Sequence, residues 1–370
     1  MKKIMLVFGT RPEAIKMCPL ILELKERNQF KVIVTVTGQH KEMLEQVLER
    51  FQISPDYDLA IMQPHQTLFD VTHKALSSLH DVYSIEKPDL VLVHGDTTTS
   101  FVAALAAYYL HIPVGHVEAG LRTYDIHSPF PEEFNRQATG IIAKYNFAPT
   151  ELSRHNLIRE GKEPSRIYVT GNTSIDALKK MIDPDYHHEY LDWLGNKRLI
   201  LLTAHRRENL GQPLVNIFNA IRRITEKFED IKVLYPVHLN PLIRQVASEI
   251  LKDNDRIKLV EPLDVMNFHN FIARSHIILT DSGGIQEEAP ALGIPVLVLR
   301  NTTERPEGVQ AGTLKVIGTN EDDIVSACIE LLTNKELYQG MSSAKNPYGD
   351  GTTSKQIVDI LEFELIKTRK

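Results

Sequence analysis

Short, continuous apolar runs alternate with longer stretches of helical periodicity along almost the whole chain. The runs KIMLVF, KVIVTVT, DLVLVHG and IPVGHVE read as strands buried on both faces. Between them Leu68, Val71, Ala75, Leu79 and Val82 recur at spacings of three and four and predict one apolar stripe along a long helix. Parallel strands need crossover connections, so this alternation predicts a mostly parallel sheet covered by helices. It stalls after RIYVTGNTSIDAL, at the charged and irregular stretch DPDYHHEYLDWLGNKR (183–198). It resumes with LILLTAH, IKVLYPVH, RIKLVEP, HIILTDSGG and IPVLVL. Two doubly wound α/β units joined near residues 170–195 follow. Ligands of such sheets sit beyond the carboxyl ends of the strands, so a cleft between the two halves is the expected active site.

The 370 residues suit two domains, and 42% hydrophobic with 24% charged residues is the composition of an ordinary soluble protein. A formal net charge of −6 argues against a nucleic-acid binder. Cys18 and Cys328 are too few for a disulfide framework or a cysteine zinc site and read as reduced thiols. The first apolar run breaks at Gly9, too early for a signal peptide, and no run approaches the ~18 apolar residues that span a membrane. A soluble, cytoplasmic protein with no membrane or nucleic-acid partner is expected.

The chemistry lies at the strand ends. The first turn, GTRPEAIK, has neither the glycine fingerprint of a dinucleotide fold nor a P-loop. It offers Arg11 and Lys16 around a helix start, which suits an anionic ligand as readily as it suits two solvated cations. VHGDTTTS leaves Asp96 past a buried strand, where it could equally cap the next helix. GHVEAGLRT leaves Glu118, and PFPEEFNRQ supplies Glu132 and Arg136. Carboxylates opposite cations are what proton abstraction from a bound anionic substrate requires. In the second half, TAHRREN places His205 and Arg206, and YPVHLNP places His238, each after a strand. No tight histidine set is present, so no metal site is expected; a histidine–arginine pair beside a phosphate fits better. DSGGIQEEAP sets Ser282, Gly283 and Gly284 at a helix mouth and Glu288 a turn inside. The glycines let backbone amides approach a diphosphate, and a carboxylate further in can accept from ribose hydroxyls.

Taken in order, FGTRPEAIKM, VHGDTTT, GHVEAGLRT, PFPEEFNRQ, VTGNTSIDAL, TAHRREN, YPVHLNP, DSGGIQEEAP, LRNTTERPEG and NPYGDG closely resemble the non-hydrolysing bacterial UDP-N-acetylglucosamine 2-epimerases, over essentially the whole chain. The resemblance implies a GT-B fold of two Rossmann-like domains (1–172 and 173–352) with the C-terminal helix (353–370) returning to the first. It implies a homodimer with no metal and no cofactor. The reaction would interconvert UDP-N-acetylglucosamine and UDP-N-acetylmannosamine for surface polysaccharide synthesis. Position by position, Asp96, Glu118 and Glu132 match acid/base groups. Lys16, Arg136, His205 and Arg11 match groups that assist catalysis or hold the diphosphate, and Ser282, Gly283, Gly284 and Glu288 match UDP contacts. Which carboxylate serves which face of C2 stays open. The resemblance further implies a second UDP-N-acetylglucosamine, an activator, at Gln39, Gln66, Glu132, Arg206 and His238. His65 and Glu42 depart from that pattern, standing where Arg and Gln are expected. The alternatives are a hydrolysing epimerase, a UDP-sugar glycosyltransferase of the same fold, and a non-catalytic nucleotide-sugar sensor, which would have no use for three carboxylates.

Overall fold

The computed structural model of the chain describes residues 1–38, 41–63 and 66–367, with the backbone alone over 41–43. It separates into two compact units, Met1–Ala177 with Gly349–Lys370, and Leu178–Tyr348. The first crossing lies inside the helix Thr173–Met181, not ahead of it.

Unit 1 holds seven parallel strands: β1 (Lys2–Phe8), β2 (Phe30–Val36), β3 (Tyr57–Asp58), β4 (Leu90–His94), β5 (Val114–Val117), β6 (Tyr145–Ala148) and β7 (Ile167–Val169). Their order is β3-β2-β1-β4-β5-β6-β7. β1 is central because its residues pair on both sides, Ile4 with Val32 and with Leu90, which buries Ile4 through Phe8 completely. The helix Leu68–Glu86 lays Val71, Ala75, Leu79 and Val82 into the core, as their spacing requires; Leu68, at its first turn, is exposed. β3, β6 and β7 did not stand out as apolar runs: β3 is two residues long, and β6 (YNFA) and β7 (IYV) are interrupted by tyrosine and asparagine.

Unit 2 holds six parallel strands: β8 (Arg198–Thr203), β9 (Ile231–Pro236), β10 (Ile257–Val260), β11 (Ile277–Thr280), β12 (Val296–Val298) and β13 (Leu314–Val316), in the order β10-β9-β8-β11-β12-β13. The stretch at 183–198 is not irregular throughout. It contains the helix Glu189–Leu194, and His188 and Tyr190 pack against Phe271. Lys258 lies over the rings of Tyr190 and Trp193, so charge and apolar surface are used together.

Two Rossmann-like doubly wound units in one chain make this an α/β fold of the GT-B class. The last helix, Thr353–Ile366, returns to unit 1 and packs on the helix Arg11–Lys25. Ile357, Val358 and Leu361 are fully buried, and Arg27 donates to Asp359 at 2.8 Å. The returning chain is anchored where Asp176 accepts the amides of Thr353 and Ser354 at 3.2 and 2.7 Å. No helix among the described residues is long and apolar enough to cross a membrane.

Candidate functional site

In unit 1 the carboxyl ends of β1, β4 and β5 bring the predicted side chains together in two ion pairs. Lys16, in the second turn of its helix, donates to Glu118 Oε2, and Asn172 Nδ2 donates to the same oxygen at 3.1 Å. Arg136 donates to Asp96 Oδ2, and Asn135 holds the Asp96 carbonyl at 2.9 Å. Asp96 is therefore not a helix cap; its neighbour Thr97 caps the helix Thr98–Tyr109 instead. Glu118 stands in the left-handed backbone region with φ +64°, a conformation that costs a non-glycine residue energy and that clusters at functional sites. Gly95, also left-handed, lies against it: a Cβ there would sit 3.5 Å from Glu118 Oε1.

These surroundings push the two carboxyls apart. Burial raises Asp96 above the ordinary carboxylate range, and Arg136 only partly offsets it. Burial raises Glu118 too, but the Lys16 ammonium and other nearby charges outweigh it and hold the group down to about 2. His94 lies behind the pair, its Nε2 3.7 Å from Glu118 Oε2, and His116 Nε2 meets the Gly95 carbonyl at 2.7 Å.

Glu132 opens the helix Glu132–Ile142, and its Oε2 is buried without a hydrogen-bond partner. Glu133, beside it, is fully buried and structural: it accepts the amides of Thr123 and Tyr124 at 3.1 and 3.2 Å. Arg11 is exposed.

In unit 2 the organising group is Asp281, which sequence reading passed over. It is fully buried, and its Oδ2 accepts the amides of His205 and Arg206 at 2.7 and 2.8 Å and Asn209 Nδ2 at 3.0 Å. Its Oδ1 lies 3.2 Å from His205 Nδ1, and the His205 ring stacks on His238 with centroids 5.5 Å apart. Burial, which outweighs Asp281, pushes His205 below its ordinary value. Ser282 is the N-cap of the short helix Gly283–Glu288, and its hydroxyl makes no capping bond. A Cβ on Gly283 would lie 3.8 Å from guanidinium nitrogens of both Arg206 and Arg305 and 3.9 Å from Glu304 Oε2, so two cations and a carboxylate border the helix mouth.

The two glutamates of that helix part company. Glu287 is buried and takes the Arg305 guanidinium, whereas Glu288 Oε2 lies 3.5 Å from His269 Nε2 beside Gly284. Arg305, Asn172 and His269 were not singled out in the sequence; GNTS after a strand is the one signal that pointed to Asn172.

Among the activator positions, Gln66 donates to the Ile61 carbonyl at 2.6 Å and Arg206 Nε to the Asp281 carbonyl at 3.3 Å. Gln39 and His65 lie outside the described residues, as does the Glu42 side chain. Among the described residues, no group of three or more His, Cys, Asp or Glu is placed to hold a metal ion.

The family model for UDP-N-acetylglucosamine 2-epimerase matches residues 22–362. The chain is 59% identical over 361 residues to the UDP-N-acetylglucosamine 2-epimerase of Bacillus subtilis, covering 98% of this chain and 95% of that one. It is similar to a crystal structure of the UDP-GlcNAc 2-epimerase of Neisseria meningitidis bound to UDP-GlcNAc: TM-score 0.83, 48% identity, 97% of this chain and 99% of that one. The Methanocaldococcus jannaschii UDP-GlcNAc 2-epimerase structure gives TM-score 0.86 at 36% identity, covering 98% and 99%.

The buried histidines make acid stability a test of this geometry. Burial pushes His94 down to about 3 and His116 to about 4, so both are neutral in the folded chain. An unfolded histidine takes up its proton near pH ~6.5. Between about pH 6.5 and 4 the unfolded state therefore binds more protons, and stability is lost as pH falls. Each ring contributes a slope of up to about 1.4 kcal/mol per pH unit. Urea midpoints should drop steadily over that window; a flat profile would mean that the rings are protonated in the folded state.

Proposed function

The chain belongs to the UDP-N-acetylglucosamine 2-epimerase family, whose members are isomerases, and we propose that it reversibly inverts C2 of UDP-N-acetylglucosamine to give UDP-N-acetylmannosamine, releasing no free sugar. The observation that carries this reading is the pair of carboxylates in unit 1, each ion-paired, one with its proton affinity raised and the other held ionised. Carboxyls whose surroundings push them apart mark an acid/base site.

The sugar C2 hydrogen is not next to a carbonyl and is not acidic as it stands. Breaking the C1–O bond first sends the electron pair to the diphosphate and leaves positive charge on the ring, which acidifies that hydrogen. Its removal forms a C1=C2 double bond beside bound UDP. Protonation of C2 from the opposite face and return of the diphosphate oxygen to C1 complete the inversion. Asp96 is suited to carry the proton because its affinity is raised. Glu118, ionised beside Lys16, is suited to face the positive ring. Glu132, with a buried oxygen that has no partner, is the third acid/base group.

Unit 2 would hold the nucleotide. Ser282, Gly283 and Gly284 present donors to the diphosphate with Arg206, and His205 adds a donor as negative charge develops on it. Arg11, Lys16 and Arg136 are the unit 1 cations suited to an anionic substrate. Glu288 would accept from the ribose hydroxyls, since Glu287 is already committed to Arg305. A second UDP-N-acetylglucosamine acting as activator would use Gln39, Gln66, Glu132, Arg206 and His238. A homodimer through unit 1 is supported by Phe69, Tyr108, Tyr109 and Ile141, exposed apolar residues on the helix Thr98–Tyr109 and the two helices that pack against it. Feeding surface polysaccharide synthesis from the cytoplasm fits a nucleotide-sugar product.

Proton NMR of UDP-N-acetylglucosamine turning over in deuterated water tests the chemistry. Product should carry deuterium at C2, with no free N-acetylmannosamine; full retention of protium over many turnovers would sink the elimination route. Started from UDP-N-acetylmannosamine alone, the reverse reaction should show a lag that a trace of UDP-N-acetylglucosamine removes, and His238→Ala should blunt that effect.

Calorimetry separates the two glutamates. Glu288→Ala should weaken UDP by about 1.5–3 kcal/mol, the range for a hydrogen bond to a charged group, and 2′,3′-dideoxy-UDP hardly at all. Equal losses for both ligands would remove Glu288 from the ribose.

A further inference from the structure

One buried carboxylate has no part in the chemistry above. Glu13 is 3% exposed, yet it accepts five hydrogen bonds. Its Oε2 takes the amides of Gly9 and Thr10 at 3.0 and 2.8 Å and the Thr10 hydroxyl at 2.8 Å. Its Oε1 takes the hydroxyls of Thr97 and Ser100 at 2.7 and 2.9 Å. Thr10 is the N-cap of the helix Arg11–Lys25 and Thr97 that of Thr98–Tyr109, so one carboxylate closes the amino ends of two long helices. All five donors are neutral; the charge is held by hydrogen bonds and by two helix dipoles whose positive ends converge on it.

The position has a meaning in the fold. β1 and β4 are neighbours, and the chain runs outward from them in opposite directions, through β2 on one side and β5 on the other. That reversal is where doubly wound sheets place a ligand phosphate, against a helix start. The turns that Glu13 joins carry Arg11 and Lys16 on one side and Asp96, next to Thr97, on the other.

We propose that Glu13 is a built-in anion: it occupies the place where such a sheet would hold a phosphate, and by bridging the two turns it positions Lys16 and Asp96 for the reaction. It is a positioning residue, since it touches neither pair directly. The bridge explains why the first turn needs no glycine fingerprint. The glycines of a dinucleotide fold make room for a pyrophosphate, and here the anion arrives on the chain's own side chain.

Substitutions separate bridging from charge. Glu13→Gln keeps the reach: its oxygen accepts from Gly9 and Thr10, and its amide faces two hydroxyls that can turn to accept. Glu13→Asp keeps the charge but is one methylene short of joining both turns. Glu13→Ala leaves a hole at two helix starts into which formate fits. With the full-length protein, turnover of UDP-N-acetylglucosamine, UDP affinity and Tm are measured with sodium formate and, at equal ionic strength, with sodium chloride.

The expected result is a kcat lowered about 10- to 100-fold in both Glu13→Asp and Glu13→Ala, the scale for a misplaced catalytic group. UDP affinity should stay within about twofold, because unit 2 supplies most of those contacts, and Glu13→Gln, which keeps the reach but loses the charge, should fall between wild type and Glu13→Ala. Formate, and not chloride, should raise both the kcat and the Tm of Glu13→Ala while leaving wild type unchanged. Wild-type kcat in Glu13→Asp, or no response of Glu13→Ala to formate, overturns the proposal. The kcat measurements rest on the epimerase reading, whereas the formate-dependent Tm needs no substrate, so failure of one is distinguishable from failure of the other.

Discussion

A carboxylate taken out of water stays ionised only if something in the protein replaces its hydration, and each of the two units is organised around meeting that condition. Glu118 meets it with the Lys16 ammonium and the Asn172 amide. The arrangement requires a helix that starts directly at the end of β1, a left-handed turn at the end of β5, and a left-handed glycine just past the end of β4. Three neighbouring strand ends are thereby committed to one ion pair. Asp96 and Arg136 then fill the flank, close enough for the Glu118 charge to add to the rise that burial gives the proton affinity of Asp96.

Asp281 meets the same condition with neutral donors, two consecutive backbone amides and an asparagine. The difference has a chemical consequence. A carboxylate saturated by amides fixes the conformation of the segment that donates to it, here the turn carrying His205 and Arg206. A carboxylate paired with a cation through one oxygen keeps acceptor capacity on the other and can still respond to a substrate. Glu13 falls with Asp281, and Glu118 and Asp96 form the other kind.

The apolar patterning made the architecture legible. Runs such as KIMLVF and HIILT are buried on both faces because their neighbours pair on both sides, and that environment leaves a continuous hydrophobic signature. β3 left little signature because two residues do not make a run, and β6 (YNFA) and β7 (IYV) because tyrosine and asparagine interrupt theirs. The helix hidden in DPDYHHEYLDWLGNKR shields its apolar face with aromatic rings and lysine stems, so the segment reads as charged.

For the site, the sequence by itself determined the inventory: carboxylates and cations at successive strand ends, glycines and a serine at a helix mouth, and the order that identifies the family. Those are one-dimensional facts, since a parallel sheet delivers every strand end to the same edge. Partnership was decided only by the tertiary structure. That Lys16 reaches Glu118, that Arg136 takes Asp96, that Glu287 is spent on Arg305 while Glu288 is not, and that Glu13 bridges two helix starts all depend on which strands lie side by side. Strand order is not written in the spacing of residues, because β1 neighbours β4 across more than eighty intervening positions. Proton affinities follow from partners and burial, so they too belong to the folded molecule alone.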